Sequence, residues 1–168
     1  GTGQTTVTIG GMTLVQANHA ATLRATPDST LGNRNRIDIL DGTSATNITS
    51  RIDGGKLGGL IAVRDQAVPG VMAQVDQLAF DMVTALNAQH QLGYGLDGLG
   101  SRDLFTPLGP SPTGAAAAMR LRSGITGSEL AASSTATAGT SGNNENALAL
   151  SAILTPGGAS SYTSRAAG

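Results

Sequence analysis

Hydrophobic and polar positions along this chain follow two different periods, and the change between them falls near residue 54. Thr5, Thr6, Val7, Thr8 and Ile9 alternate β-branched side chains on two faces, and Met12, Thr13, Leu14 and Val15 resume the alternation after Gly10-Gly11. A two-residue Gly-Gly loop supplies the positive φ that a primed hairpin turn requires, so these runs predict a β-hairpin. Further strands are predicted over residues 21–26, ended by Pro27, over 36–40 and over 47–52. Residues 28–35 and Asp41-Gly42, rich in Asn, Asp, Ser and Gly, read as turns.

From Leu57 the period lengthens. Ile61, Val68, Val75 and Met82 recur every seven residues, and Val71 or Met72, Leu78 or Ala79, and Ala85 or Leu86 fill the intervening positions. One apolar stripe on a long amphipathic helix results, with Val75 and Leu78 expected to pack within the chain as core; an intersubunit seam is the other use of such a stripe. Pro69 has no amide donor, so the pattern predicts either a kink there or a short helix followed by a second one. Gly93 is placed to cap the helix end. Beyond it, residues 94–102 read as a glycine-rich loop, 103–105 and 117–122 as short strands, and 131–142 as a low-complexity Ala/Ser/Thr/Gly linker. Asn143 or Asn144 can N-cap a last helix through Leu154, with Glu145 favoured in its first turn; Pro156-Gly157-Gly158 ends it and leaves a weakly ordered tail. The fold class is therefore α+β: β-rich hairpin and sheet segments flanking one long amphipathic helix, with a second, shorter helix near the C-terminus. The expected division is 1–53 (β-rich), 54–92 (glycine-rich joint and long helix), 93–142 (β/loop segment with linker) and 143–168 (short helix and flexible tail).

Composition narrows the chemistry. Ten Lys and Arg stand against eleven Asp and Glu, a formal net charge of −1, with no basic block, which argues against nucleic-acid binding. Cys is absent, so no disulfide or thiolate metal site exists. The only aromatics are Phe80, Tyr94, Phe105 and Tyr162. Any core is therefore aliphatic, and a sugar site would lack stacking platforms. No apolar run is long enough to span a membrane, no Sec-type leader opens the chain, and the start at Gly1 suggests a fragment.

Candidate catalytic groups are few. His19 lies in a polar turn and His90 near the helix end, where one helical turn either side of His90 offers no carboxylate or imidazole to form a metal pair. A structural or solvated role outweighs base or ligand for both. Asp97 and Asp103 flank a glycine-rich run without the ligand spacing of a calcium loop. No Gly-x-Ser-x-Gly elbow is present, and Gly54-Gly55-Lys56 lacks the surroundings of a phosphate loop, so it reads as a β-to-helix joint. Arg64, Asp65, Asp76 and Asp81 read as a solvated helix face, with Arg64 and Asp65 too divergent in direction to pair with each other. No catalytic, cofactor-binding or metal-ligating residue is assigned, and no enzymatic activity is expected.

Two stretches carry a family resemblance. The first holds Gly54-Gly55-Lys56-Leu57-Gly58-Gly59-Leu60, Arg64-Asp65, Pro69, Asp76 with Leu78-Ala79, Asn87 with Gln89-His90, and Gly93; the second is Asn143-Asn144-Glu145-Asn146-Ala147-Leu148-Ala149-Leu150. In order and spacing they resemble bacterial flagellar hook-associated protein 1. That resemblance implies a middle segment, without the family's terminal coiled coils, of a structural axial component that joins hook to filament. It implies a secreted, extracellular location in the flagellum after type III export. The implied partners are further copies of itself in a ring, the hook protein and the adjacent hook-associated protein, with the fragment alone a monomer. A second reading from composition is a secreted cell-wall-associated carbohydrate-binding module or glycosidase domain.

Overall fold

The β-branched runs near the N-terminus pair as their alternation predicts. In the computed structural model, which describes residues 5–137 and 142–153, β1 (Thr6–Ile9) and β2 (Met12–Gln16) form an antiparallel hairpin, Ile9 opposite Met12. Gly10 and Gly11 turn it with φ of 55° and 74°, the doubly positive pair of a primed turn. The two-residue strand β3 (His19–Ala20) completes this sheet in the order β1-β2-β3. A second antiparallel sheet has the order β4-β5-β6, from β4 (Thr22–Asp28), β5 (Arg34–Asp41) and β6 (Ser44–Asn47).

Two strand limits differ from expectation. Pro27 does not end β4 but sits opposite Asn35 inside it; β4 is an edge strand, where a missing donor can face the open side. The strand expected over 47–52 lies earlier, because Asp41-Gly42-Thr43-Ser44 closes a tight hairpin with Gly42 at φ 59°. Asn47 then stops the strand: its Oδ1 accepts from the Thr49 N–H at 2.9 Å and from the Thr49 hydroxyl at 2.8 Å, a side-chain turn leading into a 3₁₀ turn at Thr49–Arg51.

The chain divides into two compact units, Gly1–Pro69 and Gly70–Gly168. In the first, Ile39, Ile48 and Ile52 are buried, and Ile9, Met12, Leu14, Ala21, Ile37, Leu57 and Ile61 pack against them. Leu57 and Ile61 belong to α1 (Gly55–Ala62), so the helix that follows the sheets closes their core. The glycine run is a joint of specific geometry. Gly55 takes φ 66°, and a Cβ on Gly58 would fall 2.8 Å from the Asp53 carbonyl carbon.

At Pro69 the helix neither breaks nor restarts. α1 passes into a widened π turn, Val63–Ala67, and on into α2 (Val68–Leu92), with Ala62, Val63 and Val68 all in right-handed helical conformation. Arg64 and Asp65 lie in this turn and, contrary to expectation, do pair, the guanidinium meeting the carboxylate through Nε at 2.8 Å and Nη2 at 2.7 Å. A wider turn brings consecutive side chains closer in direction than an α-helix does.

In the second unit, α2 is joined by the short helices α3 (Ala115–Ala118) and α4 (Glu145–Ile153). Ala117 and Ala118, expected in a strand, are helical, because Asp76 caps α3 from afar, accepting from Gly114 N–H at 2.7 Å and Ala116 N–H at 3.0 Å. The expected strands at 103–105 and 117–122 reduce to one bridge, Phe105 to Leu121. Asn143 Oδ1 accepts from Glu145 N–H at 3.2 Å at the start of α4. Leu154, Pro156-Gly157-Gly158 and the tail lie outside the described residues.

Candidate functional site

The largest departure from the sequence pattern is on α2. Its heptad stripe predicts Val75 and Leu78 as core, yet they are 49% and 50% exposed, with Val71 at 59% and Met72 at 62%. The buried positions are Ala79, Val83, Leu86, Asn87 and His90, confined to the last four turns. Heptad spacing marks a face suited to packing; it does not say whether the partner lies in the same chain. Val71, Met72, Val75 and Leu78 thus form an exposed apolar patch about 10 Å long on the first half of the helix in this unit.

The second half of α2 ends in a polar knot. Asn87 acts as a strand partner for the returning chain, its Oδ1 accepting from Leu104 N–H at 3.0 Å and Phe105 N–H at 2.8 Å while its Nδ2 donates to the Phe105 carbonyl at 3.0 Å. His90 is 1% exposed. Its Nδ1 bonds the Arg102 carbonyl at 2.7 Å, and its Nε2 accepts from Ala131 N–H at 3.0 Å. These partners place the ring proton on Nδ1, so a neutral imidazole bridges two loops. Gln89 donates to Asn146 Oδ1 at 2.7 Å, and Asn146 Nδ2 donates to the Ala131 carbonyl at 2.5 Å. Gly93 ends the helix without a positive φ; a Cβ there would collide with the Asn146 amide. Ala131 and Ser133, inside the stretch read as a linker, are buried, and Ser133 pairs with Tyr94 through the backbone.

A charged cluster fixes the loop after the helix. Arg102 grips Asp97 with Nη1 at 2.7 Å and Nη2 at 2.8 Å, and Nη1 also reaches Glu129 at 3.4 Å. The Arg102 hydrogen bonds, with help from the Leu99 N–H, lower the Asp97 carboxyl to about 2. The Thr126 backbone N–H holds Glu129 below its ordinary value through a reciprocal cap.

His19, expected in a turn, begins β3, and its Nε2 lies 2.8 Å from Asp41 with both side chains mostly exposed. Among the described residues no three His, Cys, Asp or Glu side chains converge as a metal site, and no helix is long and apolar enough to cross a membrane. An open groove beside α2 is lined by Phe80, Val83, Thr84, Gln91 and Leu108. Thr84 donates its hydroxyl to the Phe80 carbonyl at 2.8 Å and Gln91 its amide to Asp103 at 2.6 Å.

The residues of this knot, Asn87, Gln89, His90, Gly93 and Asn146, are among those on which the sequence resemblance rests. Residues 1–105 match the family described as flagellar hook-associated protein FlgK helical domain. The chain belongs to that family. Flagellar hook-associated protein 1 of Salmonella typhimurium is 36% identical over 99 residues, covering 57% of this chain and 18% of that protein. The protein of the same name from Escherichia coli is 34% identical over 98 residues, covering 56% of this chain and 18% of that protein. The matched stretch is thus less than a fifth of each relative's length. Within the matched residues the helical part is 55–92, and residues 6–47 hold the two small sheets. Sequence reasoning missed the cap by Asp76 and the exposure of Val71 to Leu78. Asp76 reads from sequence as one more solvated acid, because its partners lie some 40 residues away.

Proposed function

We propose that this chain is a structural segment of an axial flagellar protein that joins hook to filament, working by subunit contact and without catalytic turnover. The match of residues 1–105 to a flagellar hook-associated family carries this reading. The relatives bearing the name flagellar hook-associated protein 1 support it. The described side chains support it: His90 and Asp97 hold loops, and the apolar residues left bare on α2 offer a contact surface. On this reading the protein acts outside the cell in the flagellum, and its partners are further copies of itself, the hook protein and the next hook-associated protein.

The test is genetic. Deleting the complete gene from its source bacterium should leave cells with hooks but no filaments, with filament subunits released into the medium, and a plasmid copy should restore filaments. Normal filaments on the deletion strain would reject the reading. Replacing Val71, Met72, Val75 and Leu78 together by Ser in the complete protein should impair filament attachment while the protein is still made and exported.

A further inference from the structure

The helix running from Gly55 to Leu92 has a gap in its hydrogen-bond ladder that is filled from outside the helix. In the turn Val63–Ala67, Val68 gives its N–H to the Val63 carbonyl, five residues back. In that register the Arg64 carbonyl would be served by residue 69, which is proline and has no N–H. Arg34, the first residue of β5, takes the donor's place: its Nη1 lies 3.2 Å from the Arg64 carbonyl oxygen and 3.3 Å from Asp65 Oδ1, while its Nε donates to the Leu31 carbonyl at 2.7 Å. Arg64 closes the other side, its Nη1 donating to the Asn35 carbonyl while Nε and Nη2 hold Asp65. The loop before β5 is thereby strapped to the one turn of the helix whose own ladder is incomplete.

We propose that residues 63–69 are a hinge in the helix and that Arg34 is its lock. With the guanidinium on the Arg64 carbonyl, the helix runs through Pro69; with it withdrawn, that carbonyl has no helical donor and the turn opens. A charged donor outlasts a water in this position, yet Arg34 and Asp65 keep 42% and 26% of their side-chain surface in solvent. Salt therefore weakens the lock. An ordinary surface ion pair between Arg34 and Asp65 would also respond to salt, but it would be indifferent to what occupies position 69.

That difference is the test. Amide exchange at Ala67 and Val68 is followed in four proteins: the unaltered chain, Arg34→Met, Pro69→Ala, and the double variant. Losing a charge-assisted hydrogen bond should speed exchange at these amides roughly tenfold in Arg34→Met. The Pro69→Ala change returns a helical donor, so adding Arg34→Met to it should change exchange by less than about twofold. Asp65→Asn, which keeps the carbonyl contact, should act more weakly than Arg34→Met. Equal acceleration in both backgrounds, or none in either, overturns the proposal. Should Arg34→Met fail to fold, a sodium chloride titration decides instead. Local acceleration at Ala67 and Val68 in the unaltered chain but not in Pro69→Ala supports the lock, and the same response in both, or none, overturns it.

Discussion

At the scale of single residues, this chain is held by polar side chains that each have one geometry available. Gly93 is needed for room rather than for a left-handed turn, since the Asn146 amide and the Ala131 carbonyl occupy the space of a Cβ. Gly93→Ala should therefore cost about 1–3 kcal/mol in a urea titration. Part of that cost should vanish in an Asn146→Ala background, a coupling read from a double-mutant cycle. Asp97 gives a pH dependence. Its folded-state value is depressed from 3.8 to about 2, so it stabilises the fold above the unfolded value. That contribution is lost as pH falls from about 4 through 2. Acid unfolding of Asp97→Asn should accordingly be flatter across that window than for the unaltered chain. Equal slopes would mean that the Arg102 grip does not persist in solution.

At the scale of elements, α2 has a half-exposed first part and a buried second part on one helix. Val83 at 2% exposure and Leu86 at 6% are core, and Leu86→Ala should destabilise by about 2–5 kcal/mol. Val75→Ala and Leu78→Ala, on the half-exposed stripe, should stay within about 0.5 kcal/mol. Urea midpoints of the three variants separate the two faces, and a large loss at Leu78 would show the stripe to be buried in solution. The two sheets obey simpler rules: Ile37 and Ile39 alternate inward on β5 while Asp38 between them is held by Thr26 at 2.9 Å and Arg36 at 3.0 Å. A strand of this kind is legible from its period. Its neighbour β6 is not, because the Asn47 side-chain turn that stops it depends on Thr49 being fixed at the Ile37 backbone.

For the whole molecule, the exposed patch on α2 bears on assembly. An apolar stretch about 10 Å long on a helix about 10 Å wide presents roughly 100 Å², far short of the roughly 800 Å² per partner of a stable interface. The isolated chain should therefore sediment as a monomer at micromolar concentration. A stable oligomer at equilibrium would show an interface larger than this patch. What the sequence determined by itself was local: the Gly10-Gly11 hairpin, the alternation of β5, the helical period from Leu57 onward, a cap at Asn143 or Asn144 and the α+β class. Each depends on residues a few positions apart, whose backbone preferences and side-chain period act before any tertiary contact forms. Family membership was legible for a related reason, since the residues that carry the resemblance, Asn87, Gln89, His90 and Gly93 among them, lie close together in sequence. Only the tertiary structure decided which face of α2 is covered, what Asp76 caps, that His90 is a buried neutral bridge and that Arg34 serves the carbonyl left free before Pro69. Those outcomes rest on meetings between residues 12 to 57 positions apart, and a side chain's own preferences do not name its partner across such a distance. A heptad stripe specifies a face suited to packing. Whether the covering element lies in the same unit is settled by the path of the rest of the chain.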